Sequence, residues 1–370
     1  MHLSKVPLKQ LAWLVIVFNA CVQAFRPKPI VMSSSPSLEV PPISPTPTEL
    51  RQPLSYRVAD KVVGTLFSID PIFNVLAKKA RESIIARGEK IGVSWSERVE
   101  GLKRHMEELE TEYEGVHRKR VVIPEYYQKP FHAYKEGNLG WAPAIEFEAA
   151  SLSVHAPTYT RGPTELQEDG DAKLRGNFHK RMKEMLAKFS FVPSRIVDVG
   201  CAAGMSTFCL QASFPEAEVL GVDLSPYMLA VAKYNLNARP EFAQVKREGR
   251  VDYVHAAGED LGLPDASVDL VSICLVNHEL PNEAARAVFR EAHRVLRPGG
   301  ALAFMDMDPT APAFQRIVKN PMLFALFKST EPWLKEYVVL DLPSELARAG
   351  FSHMDVRGNS PRHRTVVAFK

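Results

Sequence analysis

Three glycines, five groups of acidic residues and one histidine fall at the ends of apolar runs in the second half of this sequence. Asp198-Val-Gly-Cys-Ala-Ala-Gly204 follows one such run and precedes an amphipathic stretch. Gly200 and Gly204 permit a tight turn and a close approach of backbone to ligand. The helix start behind them offers free N–H groups and the positive end of a dipole, a place for a carboxylate or phosphate. A dinucleotide loop needs Gly-x-Gly-x-x-Gly. Here Cys201 and Ala202 replace the middle glycine, so the loop suits a smaller anion such as an amino-acid carboxylate. Asp198 is placed to accept hydrogen bonds from an ammonium, directly or through water. Asp223, followed by Leu224, ends the next apolar run about twenty residues on, where a carboxylate can accept both hydroxyls of a ribose. Gly258-Glu259-Asp260 follows the third run, where Glu259 or Asp260 can accept from the amino group of a nucleobase.

Val276-Asn277-His278-Glu279 follows the fourth run, at the carboxyl edge where open α/β sheets bind ligands. His278 is the candidate base, because imidazole titrates near working pH; Glu279 would orient it or bind substrate, and Asn277 would face the cofactor. The alternative is that His278 caps the next helix or touches the cofactor. Asp306 and Asp308 end the fifth run. Trp333 and Tyr337, in the segment after it, are candidate acceptor contacts or core residues. Upstream, residues 126–141 are crowded with aromatics, Gly and Pro, with neither helical nor alternating period. Tyr126, Tyr134, Asn138 and Trp141 there form either a substrate lid or a packed connector, since functional side chains concentrate on loops.

These residues need a scaffold that brings strand ends together. From Phe178 onward apolar β-type runs alternate with amphipathic helices, the pattern of an α/β sheet with crossovers. Strands are predicted at 195–199, 218–223, 251–256, 268–274 and 301–307, with a closing hairpin over 351–357 and 365–369. Ser225-Pro226 opens a helix, Ser as cap and Pro in the first turn. A helix over 282–296 is expected to stop at Pro298-Gly299-Gly300. Residues 56–116 show helical spacing and read as a cap, with a short strand at 121–123.

The chain has 370 residues, 46% apolar and 24% charged, and a formal net charge of +3. That charge is too small to argue for nucleic acid, and no basic stripe with interleaved aromatics is present. Of four cysteines, Cys201, Cys209 and Cys274 lie in or beside apolar runs without CxxC spacing, so no zinc site or disulfide framework follows. Residues 1–24 read as a signal peptide, with Lys5 and Lys9 ahead of a short apolar core. Ala24-Phe25-Arg26-Pro27 resembles the motif that directs proteins into secondary red plastids, and residues 25–55 read as a transit peptide and Pro/Ser-rich linker. Plain secretion, or a membrane-anchored leader, is the alternative. The mature protein is expected to have no membrane span.

The motifs together resemble class I S-adenosylmethionine-dependent methyltransferases. Ile196 to Thr207 is similar to their first motif, Val222 to Leu229 to the acidic motif, Gly258 to Val271 to the adenine-side segment of the subgroup with quinone C-methyltransferases, and Arg294 to Gly300 to the loop before strand five. Ala257 stands where many relatives carry an acidic or amide residue. The segment 126–149 also resembles uncharacterised methyltransferase-like proteins of cyanobacteria, algae and plastids. The resemblance implies a Rossmann-like seven-stranded sheet, order 3-2-1-4-5-7-6 with strand seven antiparallel, over 178–370, behind a cap over 56–177. It implies S-adenosylmethionine as cofactor, held by Asp198, Gly200, Cys201, Ala202, Gly204, Asp223, Leu224, Gly258, Glu259, Asp260 and Asn277, and a small-molecule acceptor. A catalytically silent binding or assembly module, or a nicotinamide-dependent oxidoreductase, are the competing readings.

Overall fold

The computed structural model describes residues 70–132, 134–160, 165–320, 324, 327 and 330–370. The segments 1–24 and 25–55, read above as signal and transit peptides, and the helical spacing over 56–69 lie outside them. Seven strands form one sheet in the order β3-β2-β1-β4-β5-β7-β6. They are β1 Arg195–Val199, β2 Glu218–Asp223, β3 Val251–His255, β4 Val268–Cys274, β5 Leu296–Met307, β6 His353–Gly358 and β7 His363–Phe369. β7 runs antiparallel to both β5 and β6; the remaining pairs are parallel. A parallel sheet must be covered on both faces, and alternation along the strands supplies this. Ile196 of β1 packs with Leu174, Phe178 and Met182 on one face, whereas Val197 and Val199 pack with Val288 and Phe289 on the other.

Twelve helices are described. α1 Asp70–Lys90, α2 Trp95–Lys103, α3 Met106–Val116 and α4 Trp141–His155 form the cap. α5 Gly170–Ala187, α6 Met205–Ser213, α7 Pro226–Ala238, α8 Ala243–Arg247 and α9 Asn282–Val295 belong with the sheet, as do α10 Pro312–Val318, α11 Leu334–Val339 and α12 Leu342–Ala349. α5 opens the sheet layer and starts ahead of Phe178. Ser225 caps α7 as its sequence demands, accepting from Met228 N with Pro226 in the first turn.

The cap docks by apolar contact: Ile91, Trp95, Val99, Leu109 and Ile145 share a core with Ala203, Met228 and Val231 of the sheet domain. A buried ionic cluster reinforces the joint. Asp171 accepts from His155 Nδ1 at 2.6 Å, Ser151 Oγ at 2.9 Å and Arg175 Nε at 3.0 Å.

Two local expectations are corrected. Residues 121–123 are irregular, not a strand; Val122 points into solvent at 81% exposure, and three residues without a pairing neighbour gain too little from the ladder to hold. β5 begins at Leu296, so Pro298-Gly299-Gly300 lies within the strand instead of in a loop. The irregularity is absorbed by a register shift against β4 between Val268 and Leu270 and by Gly299 at φ +79°.

Candidate cofactor and acceptor site

The carboxyl ends of β1, β2, β4 and β5 converge beneath the cap. After β1 the chain turns through Gly200 (φ +71°), Ala202 (φ +45°) and Gly204 (φ +86°). A Cβ on Gly200 would lie 2.5 Å from Val276 Cγ2, and one on Gly204 would lie 2.5 Å from the Tyr253 hydroxyl, so both positions require glycine. Ala202 and, after β4, Leu275 (φ +60°) adopt left-handed backbone without that freedom. Such strain gathers at binding and catalytic sites. No side chain caps α6 behind the loop, so its first turn keeps N–H groups for a ligand. Cys201 is a buried thiol, raised far above its usual range by burial and by Asp223, and packs as an apolar residue.

Two buried polar side chains point to what the loop holds. Asp198 is fully buried; its Oδ2 accepts from Ser206 at 2.6 Å and Thr207 at 2.8 Å, while Oδ1 has no partner. Burial raises its carboxyl to about 6, with the two hydroxyls opposing the shift. Asn277 is 2% exposed, and neither its Oδ1 nor its Nδ2 has a partner. Unsatisfied buried groups are costly, and this acceptor beside an amide matches a ligand that carries ammonium and carboxylate groups.

At the end of β2, Asp223 accepts from Ala202 N and Ser225 N, both at 2.8 Å, and from the Tyr127 hydroxyl at 3.4 Å. Leu224 is buried behind it, its carbonyl bonded to His255 Nε2 at 3.1 Å. Glu259 accepts from the Tyr126 hydroxyl at 2.6 Å. Asp260 is exposed and turned into its own loop toward Gly262 N at 3.2 Å, so Glu259 is the better placed of the two. Gly258 has no left-handed backbone; its missing Cβ makes room for Val199 and Val288, a packing role.

Beneath the cap, Tyr126, Tyr127, Lys129, Phe131, Asn138, Glu279, Pro332 and Trp333 line a cavity of about 20 Å³, room for about one water. Tyr126, Asn138, Trp333 and Glu279 therefore line one cavity. Three other acceptor candidates lie elsewhere. Tyr134 donates to Glu146 Oε2 at 2.6 Å within the cap. Trp141 packs on Tyr113 and Tyr227 beside a separate open cleft of about 500 Å³. Tyr337 is buried in the insertion between β5 and α12, its hydroxyl bonded to the Met307 carbonyl and its ring edge-on to His278.

His278 is held by Asp306, which accepts from its Nδ1 at 2.8 Å and from its N–H at 3.2 Å. Burial alone would lower the imidazole pKa, but the fully buried Asp306 carboxylate, with Glu331 and Glu279, raises it to about 10. This environment favours the charged form of His278, whereas a base needs the neutral one. The Glu279 carboxyl is raised as well, to about 7, by burial and against the pull of His132 and His278. A group with that proton affinity suits proton removal at neutral pH. Two partners have no sequence signal of their own, His132 from the cap and Glu331 from the insertion, which pair at 2.9 Å. His255 is a third, joining Leu224 to Arg118 of the cap.

Residues 197–304 match the methyltransferase domain family. The chain carries a class I S-adenosylmethionine-dependent methyltransferase domain. It is 30% identical, over 43% of its length, to an uncharacterised methyltransferase of Synechocystis, spanning 66% of that protein. It is 37% identical over 42% of its length to a malonyl-[acyl-carrier protein] O-methyltransferase of Hahella chejuensis, spanning 47% of it. A ubiquinone/menaquinone biosynthesis C-methyltransferase of Methylobacterium nodulans is 38% identical over 34% of this chain, again with 47% of the relative spanned. The cofactor of the domain is S-adenosylmethionine, and the open atoms of Asp198 and Asn277 fit its amino-acid end, as Asp223 fits its ribose.

Proposed function

We propose that this protein transfers the methyl group of S-adenosylmethionine to a small protic molecule bound between the cap and the carboxyl edge of the sheet. The observation that carries the reading is the meeting of the glycine turn, the unpartnered Asp198 and Asn277 atoms and Glu279 at one strand edge. The cofactor supplies a methyl group on a sulfonium, activated before it binds. The protein's contribution is alignment, exclusion of water and proton handling. Asp198, Asn277 and Asp223 hold the donor, Tyr127, Phe131 and Trp333 face the acceptor, and Glu279 takes its proton. His278, kept cationic by Asp306, stabilises negative charge beside Glu279.

The finer reading is a quinol-like or other plastid metabolite. The aromatic lining and the similarity to a quinone C-methyltransferase favour it, and the 1–55 leader supplies the address. Labelled methyl transfer into a plastid metabolite extract tests it, with Asp223→Ala as the inactive control. Calorimetry with S-adenosylmethionine, S-adenosylhomocysteine and NADH discriminates the alternatives: binding of NADH alone would favour an oxidoreductase, and binding without turnover a silent assembly module. A fluorescent fusion of residues 1–55, with and without Phe25→Ala, tests plastid delivery against secretion.

A further inference from the structure

A chain of alternating charges crosses the acceptor side and joins three parts of the molecule. Asp306 ends β5 and holds His278 Nδ1 at 2.8 Å. His278 Nε2 faces Glu331 Oε2 at 4.0 Å, an oxygen with no hydrogen-bond partner. Glu331 Oε1 pairs with His132 Nε2 at 2.9 Å, and His132 Nε2 lies 4.0 Å from Glu279 Oε1. The backbone is tied at the same point: His132 N donates to the Thr330 carbonyl at 3.2 Å. His132 holds a left-handed backbone at φ +48° to reach this place, a conformation that costs a non-glycine residue free energy.

Resting on the methyltransferase reading, we propose that His132 and Glu331 are positioning residues that close the chain Asp306–His278–Glu331–His132 onto Glu279 and commit the pocket to a protic acceptor. The acceptor's O–H or N–H bond breaks as its new bond to carbon forms. The electron pair of that bond stays on the acceptor, the proton passes to Glu279, and the carbon–sulfur pair leaves with sulfur. A sulfide or tertiary amine has no proton to give and gains nothing from this arrangement. The charged and titratable groups that face Glu279 are His132 and Tyr127 of the cap, His278 of its own turn, Glu331 of the insertion and Asp223 at the end of β2. Among these His132, whose own pKa is raised by Glu331 against the effect of burial, opposes the burial of Glu279 most strongly.

Isotope-edited infrared spectroscopy of the full chain, with glutamate carboxyls labelled and the Glu279 band assigned by its loss in Glu279→Gln, reads this directly and needs no acceptor. Glu279 is expected to titrate near neutral pH. His132→Asn suits the left-handed backbone and removes the cation, so the Glu279 midpoint should rise by about one pH unit, a tenfold change in proton affinity. His132→Lys restores a cation and should return it. Glu331→Gln should lower the titration of His132 itself, followed by ring-nitrogen NMR. A Glu279 midpoint in the ordinary carboxylate range, or one unmoved by His132→Asn in a protein with an intact thermal transition, overturns the proposal. Failure to bind S-adenosylmethionine would instead sink the methyltransferase reading and leave these titrations where they are.

Discussion

The hydroxyl of Tyr127, from the cap, donates to Asp223 Oδ1 at 3.4 Å, on the carboxylate that would receive the ribose. Tyr126 beside it binds Glu259 at 2.6 Å, on the adenine side. The cap therefore closes with two tyrosine hydroxyls on the two carboxylates to which the proposal gives the ribose and the base. On that proposal, the ribose and the base compete with these phenols for the same carboxylates.

Tyr127→Phe removes one competing donor while keeping the ring. S-adenosylmethionine should bind about threefold to tenfold more tightly, the scale of a single modest hydrogen bond. Calorimetric titration of the variant checks this; equal or weaker binding would show that the hydroxyl supports the ligand instead of competing with it.

Gly200→Ala places a Cβ 2.5 Å from Val276 Cγ2 at φ +71°. The left-handed backbone alone costs about 1–2 kcal/mol, and the contact adds to it. Stability should fall by about 2 kcal/mol or more, and cofactor affinity by at least about tenfold. Gly299→Ala is the control, since φ is +79° there but nothing lies within 4 Å; it should lose stability and keep affinity.

Asp171→Asn tests the ionic joint between cap and sheet domain. Burial raises the carboxyl pKa, yet Arg175 and His155 pull it well below the usual range, so the charged form is the one built in. The substitution leaves Arg175, 5% exposed, without its counter-charge. Breaking such a pair costs about 3–5 kcal/mol, readable as a lower midpoint in urea unfolding.

His179 sets an acid limit on stability. Burial, with Arg175 and Lys183 nearby, lowers its pKa to about 3. The unfolded chain binds that proton near the ordinary value of about 6.5, so it holds more protons than the folded one between those pH values. Stability should therefore decline as pH falls below about 6.5, by up to about 1.4 kcal/mol per pH unit for this group, until its folded pKa is reached. His179→Gln should flatten that limb in thermal melts across the window.

The sheet and the cofactor side were legible because their signals are local. Gly200, Gly204 and Asp223 sit at strand ends whose apolar alternation fixes where the chain turns, and the observed order matches the expected one. The acceptor side was only half legible. His278 and Glu279 follow β4 directly, but what sets their charge is Asp306, Glu331 and His132, brought together by folding. No period or motif links positions 132 and 331. The same holds for Tyr134 and Trp141, whose aromatic neighbourhood in sequence matched that of Tyr126, while packing turned them away from the cavity.

His255 carries a different kind of consequence. Its Nδ1 accepts from the Arg118 N–H of the cap at 3.0 Å, and its Nε2 is bonded to the Leu224 carbonyl at 3.1 Å. One neutral tautomer satisfies both contacts, since an imidazole offers one donor and one acceptor and an imidazolium offers two donors. Burial lowers the pKa of this ring and so protects that tautomer. Protonation deletes the acceptor that anchors Arg118 and leaves the Leu224 contact in place. Cap attachment and proton uptake are thus thermodynamically linked through a single ring nitrogen, and the linkage loosens the cap in acid.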